Sequence, residues 1–392
     1  MTGTAPVRAR SAEEAPEGGP ARPAGSRLVA DLRLVTVPWL LTRVLGLGSL
    51  ALSRRLFDEV GSGVRPAALA QGLFAFDGAF YRDIAAGGYD AVPHAGLRFF
   101  PLYPLLGRGL SWPFGTAPDA ALLAITAASS LVFLVLLARL VRLETGDGDL
   151  ARRSVWLACV VPPALVLVLG YSEALLMALA AASFLGWRTR RWEGAAVAGY
   201  LAGLARPLGV LLAVPAAVEA ARAWPTSTTR DRARALLAAA APVAGLFTYL
   251  AWVGRRTGDL LDPLHIQEDP SLRGGFSDPF STLWRTGRAL TGGDALGTGL
   301  HLPWALLFVV LVVVVARRLP ASYGAYAAVG LVVALSGHNV DSLERYALTA
   351  FPIVVGGAML LRRPAAERAV LVLAGAGFVG YATLTFLGAF VP

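Results

Sequence analysis

The sequence contains no lysine, and all 35 basic residues are arginines. Alanine and glycine are abundant as well, which indicates the codon usage of a GC-rich bacterial genome rather than a chemical requirement. The one cysteine, Cys159, lies in an apolar run, which argues against both a disulfide framework and a thiolate metal site. The four histidines (His94, His265, His301 and His338) show no ligand spacing, and P-loop and GxSxG motifs are absent. The sequence therefore predicts neither a metal site nor a nucleotide-sugar site.

Charge is scarce in this chain. Only 16% of the residues are charged and 56% are hydrophobic, with a mean hydropathy of +0.59, which is too apolar for a soluble globular protein. The net charge of +9 does not indicate nucleic-acid binding, because the arginines fall in short segments between apolar runs and form no continuous basic face. Residues 1–30 are predicted to be a disordered cytoplasmic tail, since residues 1–26 have almost no bulky apolar residue and lack the apolar centre of a signal peptide.

Residues 31–392 are predicted to form one all-α polytopic transmembrane domain. A span needs about 20 mostly apolar residues. Eleven segments are predicted as spans: 35–53, 119–138, 154–170, 174–187, 194–205, 208–221, 235–253, 302–316, 321–337, 347–361 and 369–390. Two long connections separate them, a first loop with interfacial helices (54–118) and a second loop (254–300). The two segments on either side of Arg206-Pro207 are also compatible with one broken helix.

The arginines predict the orientation. With the N-terminus in the cytoplasm, 21 arginines lie in cytoplasmic segments and 13 in outer ones, and 11 of those 13 fall in the two long loops, where the positive-inside rule is weak. The chain is therefore predicted to be a multi-pass plasma-membrane protein whose two long loops face outward. The turn around Glu173, the break at Arg206 and the segment 337–348 are predicted on the same outer side.

The polar insertion Phe76–Leu106 is the most unusual stretch between spans. If its first part is helical, Asp77 shares a face with Tyr81 and Ile84, while Asp83 faces water. Burial raises the pKa of a carboxylate, which suits a general base. Asp77 is thus the candidate catalytic residue. A solvated loop acid or a helix N-cap is an equally simple interpretation of this residue.

Glu173 and Arg206 are charged residues at the ends of predicted spans, close to the bilayer. Glu173 is either a substrate-binding residue or part of the start of the next helix, where Ser172 is the better cap. Arg206 precedes Pro207, which breaks the helix, so its guanidinium is either a clamp for a phosphate or an ordinary interfacial arginine.

The segment after the ninth predicted span also carries polar side chains. His338 and Arg345 are candidates for a wall that contacts a phosphate or a sugar. The alternative for Arg345 is a local helical ion pair with Asp341, four residues earlier. Arg43, inside the first span, is predicted to stabilise a polar bundle interior.

Five stretches together resemble a known family. They are FDGAFYRDIAAGGY, LRFFPLYPLL, YSEALLMALAAASFLGW, AGLARPLGVLLAVPAAVE and SLERYALTAFP. In order and in loop placement, over about residues 35–360, they resemble the PIG-V-like mannosyltransferases: the GPI mannosyltransferase II family with its bacterial relatives, in the GT-C glycosyltransferase superfamily. Phe76-Asp77 stands where the family usually has Trp-Asp. The loop 254–300 has no counterpart in the resemblance.

The resemblance implies a GT-C-like bundle and a polyprenyl-phosphate mannose donor used on the outer face. Asp77 then deprotonates the acceptor hydroxyl, which attacks the sugar with inversion, while Arg206 and Arg345 hold the phosphate. The other residues expected to bind substrate are Tyr81, Asp83, Tyr103, Glu173 and His338, with Tyr171 beside the sugar. Phe99, Phe100 and Leu102 are expected to pack an interfacial helix under the polyprenyl tail.

No cofactor is expected apart from the lipid-linked donor as co-substrate, and this scheme does not require a metal. Membrane lipids are expected partners; the acceptor, whether glycan, lipid or protein, is not indicated by the sequence. GPI synthesis is not carried over to a bacterial chain. The alternative function is a transporter or flippase of lipid-linked envelope precursors, which would place polar residues through the bilayer midplane and on both faces.

Overall fold

The chain folds almost entirely into helices. A computed structural model describes residues 24–61, 63–270, 272–294 and 298–389. Within those ranges there is no β-strand, and only an isolated bridge joins Phe276 to Gly337. The α-helices are α1 (Ala24–Val60), α2 (Ala67–Gln71), α3 (Asp77–Gly87), α4 (Leu102–Ser111), α5 (Asp119–Thr145), α6 (Gly148–Val160), α7 (Glu173–Arg188), α8 (Trp192–Ala205), α9 (Ala213–Ala223), α10 (Thr229–Thr257), α11 (Asp262–His265), α12 (Pro279–Thr291), α13 (His301–Arg318), α14 (Ala321–Leu335), α15 (Leu343–Thr349), α16 (Pro352–Leu360) and α17 (Pro364–Phe386).

Many of these helices suit a membrane. In the described chain, six helical segments are long and apolar enough to cross one: Gly25–Val60, Asp119–Thr145, Pro207–Thr226, Thr229–Thr257, Thr298–Arg318 and Pro364–Phe386. Helices α15 and α16 add a seventh if they count as one span with a bend of 92°. The predicted all-α polytopic architecture is thereby confirmed.

All eleven predicted apolar segments coincide with helices, but not all reach the length of a span. Helices α7, α8 and α14 have 16, 14 and 15 residues, and the segment 154–170 is divided between α6 and a 3₁₀ turn at Pro162–Leu167. The predicted count of eleven therefore exceeds the six or seven that length and composition support, because short buried helices are as apolar as spans. The break at Arg206 is confirmed: α8 ends at Ala205, and a 3₁₀ turn begins at Pro207.

The predicted loops and tail map onto the structure as follows. Residues 1–23 of the predicted tail lie outside the described residues, while 24–30 form the first turns of α1. The first loop contains three helices, α2, α3 and α4, and the second contains α11 and α12. Both loops thus have helical structure of their own, which is what allows them to hold side chains in place.

Helices α8 and α10 pack with their backbones in close approach. A Cβ at Gly203 would lie 2.2 Å from the Pro242 carbonyl oxygen, and one at Gly245 would lie 2.1 Å from that of Tyr200. Small residues allow this kind of packing between apolar helices. The contact ends one turn before Arg206 and therefore holds the position of that arginine.

Charged side chains gather at the end of the bundle where the cytoplasmic segments are predicted. Arg188 contacts Glu144 (Nε to Oε1, 2.6 Å) and Glu219 (Nη1 to Oε2, 3.3 Å), and all three side chains are largely buried. Asp31 pairs with Arg139 at 2.7 Å. These ion pairs join α1, α5, α7 and α9 at this end of the bundle.

Arg43 has the structural role predicted for it. Its guanidinium donates to the carbonyl oxygens of Trp39 and Leu167 and to the hydroxyl of Ser130, and it lies 4.1 Å from the Trp39 ring. These contacts join α1 to α5 and to the turn after α6.

Candidate active site

Asp77 is the first residue of α3, in the first loop. The preceding residue, Phe76, has a φ of 53° and a ψ of −116°, a positive-φ conformation that costs a residue other than glycine roughly 1–3 kcal/mol. Phe76, not Asp77, occupies the N-cap position, and no side chain caps the helix. The N-cap interpretation of Asp77 is therefore wrong, although a carboxylate in the first turn is favoured by the helix dipole.

The carboxylate of Asp77 contacts one arginine from its own loop and one from the distant helix α15. Arg345 Nη1 donates to Asp77 Oδ2 at 2.8 Å, and Arg98 Nη2 lies 3.9 Å from Asp77 Oδ1. The Asp77 side chain keeps 18% of its surface exposed, whereas Arg345 keeps 5%. The acid thus lies at the mouth of the site, with the arginine beneath it.

Glu173 lies between two guanidinium groups deeper in the protein. Its Oε1 is 2.8 Å from Arg206 Nη1 and 3.4 Å from Arg345 Nη1, and its side chain is completely buried. Arg345 therefore connects Glu173 to Asp77. The structure brings together four of the residues predicted on the outer side: Asp77, Glu173, Arg206 and Arg345. Together with Arg98, these form what we call the charged cluster.

Breaks in the helices position the arginines of this cluster. Arg206 has an extended backbone (φ −159°, ψ 155°) because Pro207 cannot continue α8. Arg345 lies on α15, which begins after Ser342 at a φ of 67° and meets α16 at 92°. A straight apolar span would direct these side chains along its surface, whereas the breaks direct them into the bundle.

The first loop is fastened to the start of α7, which carries Glu173. The Gly170 backbone N–H donates to the Leu73 carbonyl at 2.8 Å, and the Tyr171 hydroxyl donates to the Ala75 carbonyl at 3.0 Å. A Cβ on Gly170 would lie 2.5 Å from the Phe74 ring, so only glycine fits there. Asp77 and Glu173 are thereby held close together.

Tyr81 forms one wall beside the cluster. Its hydroxyl is 2.7 Å from Ser172 Oγ, which also accepts from Arg206 Nη1 at 3.2 Å. Burial raises the pKa of Tyr81 to about 12, so the phenol stays protonated. Tyr103 packs edge-on against Tyr81 at 5.2 Å, but its own hydroxyl donates to the Leu122 carbonyl. Tyr81 is thus linked to the cluster through Ser172, and Tyr103 supports Tyr81.

The pKa of Asp77 does not follow the expectation from sequence. Burial does raise it, but the guanidinium groups of Arg345, Arg98 and Arg206 outweigh burial and hold the pKa of Asp77 below its ordinary value. The prediction of a raised pKa is wrong because it considered burial without the arginines that other segments contribute. Asp77 is therefore ionised at neutral pH and able to accept a proton.

The cluster has an excess of positive charge, with three guanidinium groups and two carboxylates. The buried Nε atoms of Arg98, Arg206 and Arg345 and the Oε2 of Glu173 have no hydrogen-bond partner among the described residues. Buried polar groups without partners are costly, which is why they are uncommon away from functional sites. The arrangement is suited to holding one further anion beside Asp77.

Other predicted site residues lie away from the cluster. Asp83 pairs with its neighbour Arg82 at 3.1 Å and is half exposed. The exposed His338 lies against Gly274 of the second loop, and its carbonyl accepts from Arg285. The local ion pair between Asp341 and Arg345 is not formed, since the Asp341 carboxylate faces His301 at 3.9 Å and Asn339 instead.

Two further interpretations need correction. Ser172 precedes α7 but does not cap it; its hydroxyl contacts Tyr81 and Arg206 instead. Phe99 is buried inside the first loop and Phe100 is buried against Tyr249 of α10, so neither faces a lipid tail. The exposed apolar residues of this region include leucines on α4, such as Leu105 and Leu110.

Arg98 is the member of the cluster that the sequence analysis missed. It directly precedes Phe99 and Phe100 in the aromatic stretch, and its guanidinium lies 4.7 Å from the Phe99 ring. The Tyr249 hydroxyl on α10 fixes this segment by donating to the Leu97 carbonyl at 2.8 Å. The signal that could have identified Arg98 was a charged residue next to two aromatic residues inside a polar insertion.

A comparison with solved structures finds a likeness. The chain is similar to the crystal structure of ArnT from Cupriavidus metallidurans bound to undecaprenyl phosphate, with a TM-score of 0.48 and 14% sequence identity, over 94% of this chain and 77% of that one. No protein-family model matches the chain. No curated protein matches it either. The function is therefore inferred from the geometry of the site itself.

Proposed function

We propose that this protein is a membrane glycosyltransferase that moves a hexose, mannose by family resemblance, from a polyprenyl-phosphate donor to an acceptor outside the cytoplasm. The observation that carries the proposal is the junction at Arg345, whose Nη1 lies 2.8 Å from Asp77 and 3.4 Å from Glu173. The candidate base, Asp77, is therefore in direct contact with Arg345, which is also part of the candidate phosphate clamp. Inverting transfer from a lipid phosphate needs both functions at one place.

In the proposed reaction, the acceptor hydroxyl gives its proton to an oxygen of Asp77 as its own oxygen bonds to the anomeric carbon. The bond between that carbon and the donor phosphate oxygen breaks, and the polyprenyl phosphate leaves with the electron pair. Attack opposite the phosphate inverts the configuration. Arg206 and Arg345 stabilise the charge that develops on the leaving phosphate, where paired N–H donors match its oxygens.

The surroundings of the cluster support this assignment. The rings of Tyr81 and Tyr171 are buried beside Asp77, and their hydroxyls bond to Ser172 and to the Ala75 carbonyl, which fixes the residues around Asp77 in place. Exposed leucines on α4 provide an apolar surface at the edge of the first loop for the polyprenyl chain. We place this site on the extracytoplasmic side of the plasma membrane, from the distribution of arginines.

The deciding experiment uses the purified protein in liposomes with a bacterial envelope extract as the source of acceptor. Polyprenyl-phosphate mannose and polyprenyl-phosphate glucose, each radiolabelled in the sugar, are supplied separately. Transfer of the mannose label with release of polyprenyl phosphate is expected from the wild type but not from Asp77→Asn. Asp83→Asn is the matched control, because Asp83 lies in the same loop and pairs only with the adjacent Arg82 in the described structure.

Three outcomes would overturn parts of the proposal. Full transfer by Asp77→Asn removes Asp77 from the reaction. Transfer of glucose but not mannose changes the donor sugar. Movement of intact labelled lipid across the liposome membrane without transfer favours the flippase alternative.

A further inference from the structure

An open groove lies at the end of the bundle opposite the charged cluster. This groove has a volume of about 1130 Å³ and is bordered by α1, α5, α7 and the start of α8. Helix α5 passes both sites: Thr126 bonds to Tyr103 near Asp77, and Arg139 lines the groove thirteen residues later. That spacing corresponds to roughly 20 Å along a helix. The groove is therefore separate from the proposed active site.

The mouth of the groove is basic. Arg27, Arg139, Arg142 and Arg191 line it, and Asp31 is its one acidic residue. Asp31 accepts from Nε of Arg139 at 2.7 Å and contacts Nη2 of Arg142, which fixes both guanidinium groups beside the cavity. Each of these two guanidinium groups has further N–H donors beyond the one that contacts Asp31. Four arginines around one carboxylate leave the mouth positively charged and suited to a phosphate.

The inner part of the groove is apolar. On α5, Leu136 lies one turn deeper than Arg139, and in and just after α7, Leu185 and Ala182 lie one and two turns deeper than Thr189. Spacings of three and four residues put each series on one helix face. Both walls therefore change from polar to apolar in the same direction, into the bundle, over a distance of about two turns.

From this arrangement we infer that the groove binds an anionic phospholipid, with the phosphodiester at the arginines and an acyl chain along Leu136, Ala182 and Leu185. A free phosphate ion would use the basic mouth but not the apolar walls. Basic pockets between membrane helices are a known way of holding anionic headgroups. The inference concerns a different end of the molecule from Asp77 and does not depend on the proposed transferase activity.

The test reconstitutes the full chain in nanodiscs of dioleoyl phosphatidylcholine with and without dioleoyl phosphatidylglycerol. Native mass spectrometry then counts the phospholipids that stay bound. The wild type is expected to retain phosphatidylglycerol in preference to phosphatidylcholine. The double variant Arg27→Gln with Arg191→Gln is expected to weaken that retention on the order of tenfold. Each exposed arginine near an anionic headgroup contributes a few-fold to the affinity, and the variant removes two of them.

Two further variants separate a specific lipid site from general basicity. Arg317→Gln with Arg318→Gln removes two exposed arginines from the same predicted side but away from the groove, and retention should not change. Ala182→Phe fills the apolar part without changing charge and should reduce retention several-fold. Equal loss in the Arg317/Arg318 variant overturns the site. Unchanged lipid retention in Ala182→Phe, with inorganic phosphate displacing the lipid, overturns the acyl-chain part and leaves a simple anion site.

Discussion

Arg345 donates a hydrogen bond to Asp77 across 268 positions of sequence, from Nη1 to Oδ2 at 2.8 Å. Because Nη1 also lies 3.4 Å from Glu173, a single nitrogen is shared by two carboxylates. A phosphate that binds Arg345 competes with both for the same donor. Donor binding would thus weaken the hold of Arg345 on Asp77 and make that carboxylate a better proton acceptor when the sugar is in place.

Asp77→Asn is expected to lower the rate of sugar transfer by roughly 10²–10⁴-fold, the usual contribution of a positioned general base. The amide keeps the shape of the side chain but cannot accept the proton at neutral pH. The measurement is transfer of radiolabelled sugar in liposomes at equal protein content. Asp83→Asn should retain wild-type activity, and loss of activity in both variants would indicate that the first loop is merely sensitive to substitution.

Arg345→Lys is expected to fold but to lose at least tenfold in kcat/KM. Lysine keeps the charge, yet one ammonium cannot reproduce the planar fork that reaches Asp77, Glu173 and Ser342 together. Arg206→Lys should behave in the same way. Activity equal to wild type in either lysine variant, measured over a range of donor concentrations, would remove that arginine from the phosphate clamp.

Glu173→Gln is expected to tighten donor binding while making the fold less stable. The substitution removes the anion that lies between Arg206 and Arg345, so a phosphate meets less competition and a larger positive charge. We expect the KM for the donor to fall by roughly tenfold, the worth of a charged hydrogen bond. Thermal unfolding should occur at a lower temperature. A KM that rises instead would mean that Glu173 itself contacts the donor.

The pH dependence of transfer tests the environment of Asp77. The arginines hold the pKa of Asp77 below its ordinary value, so the carboxylate stays charged as pH falls from 7 through the mildly acidic range. Any stability that its ion pairs contribute is present above the unfolded pKa of about 3.9 and is lost only as pH falls through the lower folded pKa. Activity that depends on ionised Asp77 should therefore persist in mild acid.

Arg98→Gln provides the matched comparison. It removes one of the guanidinium groups that lower the pKa of Asp77, so the acidic limb of the pH–rate profile should move to higher pH. An unchanged limb would show that Arg98, at 3.9 Å, is too distant to influence the base.

Arg188 offers a prediction about stability alone. Arg188→Gln leaves Glu144 buried without its cation and leaves Glu219 with only the exposed Arg222, 3.6 Å away, so it should lower the free energy of unfolding by about 3–5 kcal/mol. Arg55→Gln breaks an exposed pair with Glu59 and should cost at most about 1 kcal/mol. Unfolding curves of the two variants under identical detergent conditions make the comparison. Similar losses would contradict the burial argument.

The residues differ in how much of their role could be predicted from sequence. Helical spacing and the helix break at Pro207 were local signals, and they selected Asp77 and Arg206, which the structure brings into one charged cluster. For Arg345, the local pattern offered Asp341, whereas the folded chain uses Asp77 from the first loop. Four-residue spacing describes neighbours on a helix surface, but it contains no information about which distant segment packs against that helix.

The pKa shift of Asp77 could also be predicted only in part from the sequence. The spacing of Asp77 predicted a carboxylate at a buried face, and the side chain is indeed largely shielded. The sign of its pKa shift depended on Arg98, Arg206 and Arg345, which come from three other segments. The prediction of the number and length of the spans was limited for a different reason. Composition alone does not distinguish a short buried helix from one that crosses a membrane.

The separation of Asp77 from Arg345 also has a consequence for biogenesis. Asp77 is synthesised with the first loop, but eleven further helices of the described chain, α4 to α14, must be made before α15 brings Arg345 to it. During that interval the nascent chain carries an acid without its principal cation. A ribosome-bound or partly inserted chain would therefore be inert toward lipid-linked sugars, and the activity would arise in a single late step of membrane insertion.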